Sequence, residues 1–312
     1  MSTGFKGRSV CHIADLSVEE MTRVLDVAEG FAQDLKAQKP PSRLALGRVL
    51  ATLFFEPSTR TRLSFESAMS RLGGSVVSVA QPGQTSVAKG ETLADTIRMV
   101  AAYSDAIVLR HPQEGAARLA ARYSKVPIIN AGDGAGQHPT QTLLDLYTIR
   151  KEKGNLSDVK VALVGDLKYG RTVHSLAHAL ARLGTEMALV APEGLQMPAD
   201  ARAGLHDLGA RYSTAERLDD VIGDIDVLYM TRIQKERFPD LEEYRRVQNV
   251  YQVSNALLAR AKKGVIVLHP LPRVGEILPE VDDTPNAKYF DQAANGVPVR
   301  MALLARILGL VE

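Results

Sequence analysis

The sequence predicts an α/β protein of two domains, each with a mostly parallel sheet flanked by helices. Three observations predict it. Short apolar runs of strand length recur along the chain and alternate with segments of helical period, the pattern of βαβ units. The 312 residues suffice for about two domains at roughly 100–200 residues each. Hydrophobic residues make up 45% and charged residues 24%, so an ordinary core can be buried beneath an ordinary soluble surface.

Each element has a local reason. Ser17-Val18-Glu19-Glu20 reads as a capping box, with Ser17 as N-cap and Glu20 three residues on, and an amphipathic helix follows to about Lys36. Lys39-Pro40-Pro41-Ser42 breaks that pattern. The apolar run 48–55 is a strand, after which Pro57-Ser58-Thr59 opens a helix. Its apolar positions Phe65, Ala68, Met69 and Leu72 keep the helical period until Gly73-Gly74 stops it. Buried strands are expected at 106–109, 127–129, 159–164, 187–190, 227–230 and 265–268. Helices are expected over 140–150, over 171–183 up to Gly184, and over 297–310 at the end. Lys153-Gly154-Asn155 reads as a link. The domains are therefore 1–150, with 293–312 packing back on it, and 151–292.

Composition excludes several functions. The net charge is +2, without the basic excess of a nucleic-acid binder. Cys11 is the single cysteine, so no intrachain disulfide forms, which fits a reducing cytoplasm. Ser9-Val10-Cys11-His12-Ile13 carries no nucleophile motif, and Cys11 reads as a bland, partly buried thiol. No apolar h-region opens the chain, and no apolar stretch approaches the ~18–20 residues that span a bilayer, so a cytoplasmic protein without membrane contact is expected.

Seven segments carry chemistry. In Phe54-Phe55-Glu56-Pro57-Ser58-Thr59-Arg60-Thr61-Arg62 a buried strand ends and a helix begins on hydroxyl residues and an arginine. Free N–H groups at a helix N-terminus favour an anion, and a guanidinium grips phosphate with its planar fork. The alternative is a plain N-cap with surface arginines. Ser86-Val87-Ala88-Lys89-Gly90 suggests a lid carrying one positive charge, or else a solvated loop lysine. Arg110, in Leu109-Arg110-His111-Pro112, ends a strand, where open parallel sheets place their ligands. Gly132 to Gln141 is a glycine-rich loop running into a helix that presents His138 and Gln141 on one face.

The remaining three follow the same logic. Gly165 to Thr172 approaches the P-loop pattern G-x-x-x-x-G-K-[ST], but Arg171 stands in the lysine position and is not a safe substitute for it. Arg171 instead suits a substrate carboxylate. Arg232 directly follows a strand and points toward the sheet's carboxyl edge. His269-Pro270-Leu271-Pro272-Arg273 is a stiff turn able to offer backbone carbonyls to an amide. The set contains no metal-ligand cluster, no Ser-His-Asp arrangement and no cofactor box. It suits two small anions held by cations while one attacks the other.

In order along the chain, FFEPSTRTRLSFE, KGETLADT, RHPQEG, NAGDG with QHPTQTLLDLYTI, GRTVHS, TRIQKERF and HPLPR resemble the catalytic chains of the aspartate carbamoyltransferases, from about residue 5 to the end. The resemblance implies transfer of the carbamoyl group of carbamoyl phosphate to L-aspartate in pyrimidine biosynthesis. It also implies a homotrimer whose active sites are shared between subunits. In that reading Ser58, Thr59, Arg60 and Thr61 hold the phosphate, and Arg110 bridges phosphate and carbonyl. Thr61, Arg110 and His138 face the carbonyl oxygen. Gln141 and the backbone of Leu271 and Pro272 orient the carbamoyl nitrogen. Arg171 and Arg232 hold the two carboxylates of aspartate with Gln234 nearby, and Lys89 reaches in from the next subunit.

The family's lid serine is expected four residues before that lysine. Here Thr85 occupies that place and Ser86 lies three before, so either hydroxyl is a candidate. Glu56 is expected to pair with Arg171 or Arg237 on closure, or else to be a simple strand-end carboxylate. Ornithine carbamoyltransferases share the phosphate motif but resemble His-Cys-Leu-Pro where this chain has His269-Pro270-Leu271-Pro272. An arginine pair also suits a dicarboxylate better than ornithine. The alternatives are a carbamoyltransferase with another amine acceptor and a non-catalytic scaffold chain. No cofactor is expected. Regulatory or dihydroorotase-like subunits are partners that the sequence neither requires nor excludes.

Overall fold

The computed structural model describes residues 5–39, 42–80, 86–233, 241–247 and 250–311. It divides into two compact units, Met1–Leu144 with Asn295–Glu312, and Asp145–Ala294.

In the first unit, α1 (Val18–Lys36) starts on the capping box read from sequence. Ser17 Oγ accepts from the Glu20 N–H at 3.0 Å, and the Ser17 N–H donates to Glu20 Oε2 at 2.8 Å. The chain continues through β1 (Val49–Phe54), α2 (Thr59–Arg71), β2 (Ser75–Val79), α3 (Leu93–Ala101), β3 (Ala106–His111), α4 (Ala116–Tyr123), β4 (Ile128–Asp133) and α5 (Pro139–Lys153). The four strands are all parallel, in the order β2-β1-β3-β4, with Phe54 in register with Arg110. Leu50 to Phe54 are buried without alternation, as expected of a parallel strand covered on both faces. Ala51, Leu53, Ile107, Leu109 and Ile128 pack with Ile97 of α3 and Ala120 of α4 into one apolar core.

The second unit carries β5 (Lys160–Val164), α6 (Arg171–Arg182), β6 (Glu186–Val190), α7 (Ala199–Asp207), β7 (Tyr212–Ala215), β8 (Val227–Met230), α8 (Leu241–Val247), α9 (Asn255–Leu258) and β9 (Ile266–Leu268). These strands are again all parallel, in the order β7-β6-β5-β8-β9. Its core joins Ala162, Val164, Ala188, Leu228, Met230 and Val267 to Tyr251, Val253 and Leu257. The last helix, α10, spans Tyr289–Ile307. It begins eight residues earlier than position 297 (297 − 289), because Pro298 lies inside the helix rather than at its first turn. The unit division falls within α5 and again within α10. Among the described residues no helix is long and apolar enough to cross a membrane.

Candidate active site

Topology selects the ligand edge of each sheet. In the first unit the chain leaves β1 to form β2 on one side, and β3 then pairs on the other side. Such a reversal opens a crevice outside the carboxyl ends of the two strands, here β1 and β3. Ser58 to Thr61 follow β1, and Arg110 stands near the end of β3.

Arg110 is 8% exposed. Its Nη1 donates to the Ala131 carbonyl at 3.1 Å and its Nη2 to Glu56 Oε1 at 2.8 Å. Its Nε is buried with no hydrogen-bond partner among the described residues. Ser58 occupies the N-cap of α2, but its side chain makes no capping bond, so the helix opens without a side-chain cap. Thr61 is buried in the first turn, while Arg60 and Thr59 are exposed. Partial desolvation, and then the neighbouring Arg110 charge, lower the Arg60 pKa. Two mutually repelling guanidinium groups beside the N-terminus of a helix make a place for an anion. Glu56, expected to pair with Arg171 or Arg237, pairs here with Arg110.

His138 is 5% exposed and precedes α5. Its carbonyl accepts from the N–H groups of Gln141 at 3.0 Å and Thr142 at 3.3 Å, so His138 and Gln141 share the first turn as the spacing predicts. The loop before it is held rigidly. Asn130 Oδ1 accepts the Gly132 N–H at 2.8 Å, and its Nδ2 donates to the Cys11 carbonyl and to Asp133 Oδ1, both at 2.9 Å. Asp133 also accepts the N–H groups of Gln137 and Gly115, each at 2.9 Å. Gly134 has φ +51°, and a Cβ there would lie 2.5 Å from the Pro112 carbonyl oxygen, so only glycine fits. Cys11 is buried against this loop. Burial, and then the Asp15 charge, push its thiol up to about 12, which leaves it an inert packing residue.

In the second unit β5 leads to β6 and β7 on one side while β8 pairs on the other. Arg171 and Arg232 therefore follow the two strands that flank the reversal. Arg171 is the first residue of α6, and Arg232 comes two residues after Met230; both are half-buried. The loop between β5 and α6 is not a phosphate cradle. Asp166, 1% exposed, takes the N–H groups of Lys168 at 3.2 Å and Tyr169 at 2.9 Å, the groups a P-loop would leave for phosphate. Gly165 serves close packing instead, since a Cβ there would lie 2.4 Å from the Thr231 carbonyl oxygen.

The turn after β9 is fixed by its own histidine. The Leu271 N–H donates to His269 Nδ1 at 2.8 Å. The proton of the neutral ring is therefore on Nε2, which donates to Glu276 Oε1 at 2.7 Å. Glu276 Oε2 accepts the N–H groups of Val274 at 3.0 Å and Gly275 at 2.9 Å. Burial alone would raise the Glu276 carboxyl, but the His269 bond and these N–H donors prevail and hold it at about 2. Leu271 has φ +55°, an unusual conformation for a branched residue, and the Leu271–Pro272 peptide is cis.

Lys89 is exposed at the end of the 3-10 turn Ser86–Lys89. Thr85, Gln234 and Arg237 lie outside the described residues. Sequence reading passed over Asn130, Asp133, Asp166 and Glu276. The one available signal was the presence of carboxylate and amide side chains in otherwise tight, glycine-rich segments.

Two family models cover nearly the whole chain. The carbamoyl-P binding domain of aspartate/ornithine carbamoyltransferase matches residues 8–151, and the Asp/Orn binding domain of the same family matches residues 157–307. The aspartate carbamoyltransferase catalytic subunit of Thermococcus onnurineus (strain NA1) is 55% identical over 99% of each chain. The solved catalytic subunit of M. jannaschii aspartate transcarbamoylase superposes with a TM-score of 0.91 at 52% identity, over 97% of this chain and 98% of that one. Aspartate transcarbamoylase from Trypanosoma cruzi in complex with carbamoyl phosphate and aspartate superposes with a TM-score of 0.90 at 40% identity, over 97% of this chain and 96% of that one.

Proposed function

Because this chain belongs to the aspartate/ornithine carbamoyltransferase family, we propose that it transfers the carbamoyl group of carbamoyl phosphate to the α-amine of L-aspartate, giving N-carbamoyl-L-aspartate and phosphate. The observation that carries this reading is the placement of cations at the reversal strands of both sheets. Arg60 and Arg110 stand beside the α2 N-terminus, and Arg171 and Arg232 follow β5 and β8.

In this reading the first unit binds carbamoyl phosphate, with Ser58, Thr59, Arg60, Thr61 and Arg110 on the phosphate. Thr61, Arg110 and His138 donate to the carbonyl oxygen. Gln141 and the backbone of Leu271 and Pro272 receive the carbamoyl nitrogen. The second unit binds aspartate, with Arg171 and Arg232 each taking a carboxylate and Gln234 beside them. The uncharged amine attacks the carbonyl carbon, a tetrahedral oxyanion forms, the bond to the phosphate oxygen breaks, and the departing phosphate accepts the amine's proton. Each donor aimed at the developing oxyanion contributes about 3–4 kcal/mol. His138 acts as such a donor and need not be a base. The chain works as a cytoplasmic homotrimer in which Lys89 serves a neighbouring subunit's site.

The test is stoichiometric. Purified chain given carbamoyl phosphate and aspartate should release phosphate and form ureido product one for one, with little phosphate released when aspartate is omitted. Phosphate release independent of aspartate, or none at all, would overturn the reading.

A further inference from the structure

Buried polar groups of the second unit that the proposed chemistry does not use form one connected chain. Its centre is Asp145 on α5, with 0% exposure. Asp145 Oδ2 accepts the Tyr229 hydroxyl at 2.8 Å, and Oδ1 accepts the Gln292 amide N–H at 2.6 Å. Gln292 Oε1 accepts the His269 N–H at 2.8 Å. At the other end the Tyr229 hydroxyl is hydrogen-bonded to the side chain of Thr172, the residue after Arg171.

The direction of each bond is determined. The His269 N–H can only donate, so Gln292 turns its oxygen there and its NH₂ toward Asp145. Tyr229 is fully buried, and burial followed by the Asp145 charge raises its pKa well above the ordinary value, so the hydroxyl keeps the proton it gives to Asp145. A carboxylate removed from water is unfavourable unless donors satisfy it, and a leucine would fill a helix interior without that penalty. An aspartate at this position therefore points to what it holds in place.

Resting on the carbamoyltransferase reading above, we propose that Asp145 is a positioning residue for the transfer. One carboxylate oxygen holds, through Gln292, the backbone of His269 that leads into the Leu271-Pro272 turn. The other holds, through Tyr229 and Thr172, the first turn of α6, which carries Arg171. Both ligand-binding elements of the second unit are thereby referenced to one buried group.

The two limbs have different kinetic signatures. In Asp145→Asn, Gln292 keeps its orientation, so the new amide must turn its NH₂ toward Tyr229, whose hydroxyl then loses the carboxylate and must turn its proton toward Thr172, reversing that bond. This removes the charged acceptor that fixes the α6 limb, and the aspartate KM should rise about tenfold with kcat changed by less than about threefold. Tyr229→Phe should give the same pattern and serves if Asp145→Asn fails to fold. Gln292→Leu breaks the turn limb and should lower kcat by about 10- to 100-fold with a smaller effect on the aspartate KM.

The measurement is steady-state kinetics on purified, folded variants beside wild type. The KM pattern for the first pair and the kcat pattern for Gln292→Leu would support the proposal. Lowered melting temperatures with unchanged KM and kcat would reduce the network to a structural one and overturn it. A wild type that turns over no aspartate would overturn the underlying reading as well, so the two failures are distinguishable.

Discussion

Arg110 donates from Nη2 to Glu56 Oε1 at 2.8 Å, so a carboxylate already partners the most buried arginine of the first unit's ligand edge. The Glu56 side chain keeps 33% exposure, which screens the pair, and its net contribution is about 1 kcal/mol or less. Glu56 nevertheless opposes any anion that approaches Arg110 and Arg60. Glu56→Gln should therefore tighten inorganic phosphate binding by about two- to fivefold, more at low ionic strength, in a calorimetric titration. Unchanged or weakened binding would show that the carboxylate does not compete with the ligand.

His138 is buried immediately before α5. His138→Ala should lower kcat by about one to three orders of magnitude, the range for loss of one oxyanion donor, with an unaltered far-ultraviolet spectrum. A folded variant with wild-type kcat would remove His138 from the chemistry.

Asp133 binds the N–H groups of Gly115 and Gln137 and the Asn130 amide, all at 2.9 Å. In Asp133→Asn at least one of these donors faces an NH₂ group. Urea unfolding should show a loss of about 1.5–3 kcal/mol, and kcat should fall together with it because the loop aims His138. Stability within 0.5 kcal/mol of wild type, roughly the scatter of a surface substitution, would contradict this account.

Glu276 supplies a pH test. Its carboxyl lies at about 2 in the fold against an ordinary 4.5. The folded value is the lower one, so its contribution is complete above pH 4.5 and is lost as the pH falls toward 2. A shift of this size is worth about 3 kcal/mol. Glu276→Gln should be less stable than wild type near neutrality, and the gap should narrow between pH 4.5 and 2. A gap independent of pH would show that Glu276 is not held as a carboxylate.

What the sequence revealed followed from locality. The capping box at Ser17 and the strand ending at Phe54 are local signals, and α1 and β1 form where those signals lie. The strands β2 and β7 escaped because they are edge strands, half-exposed and rich in serine and threonine, without the apolar run of β1. The start of α10 was hidden by Pro298, which sits within the helix. Arg110, Arg171 and Arg232 could be named because each stands at a strand end or opens a helix, whereas the roles of Lys89, Gln141, Leu271 and Pro272 came with the family resemblance. The groups that hold them could not. Asp145 and Gln292 are 147 residues apart, and Arg110 and Glu56 are 54 apart, so no window of sequence contains both partners.

The most direct test of the central claim compares acceptors. The purified chain should be assayed with carbamoyl phosphate and either L-aspartate or L-ornithine, reading ureido product as kcat/KM. If Arg171 and Arg232 each take a carboxylate of the acceptor, aspartate should be favoured by at least about 10³-fold, because ornithine would bring a cation to one of them. Equal or greater turnover of ornithine would keep the phosphate cradle at Ser58 to Thr61 but contradict the assignment of Arg171 and Arg232, and with it the proposed reaction.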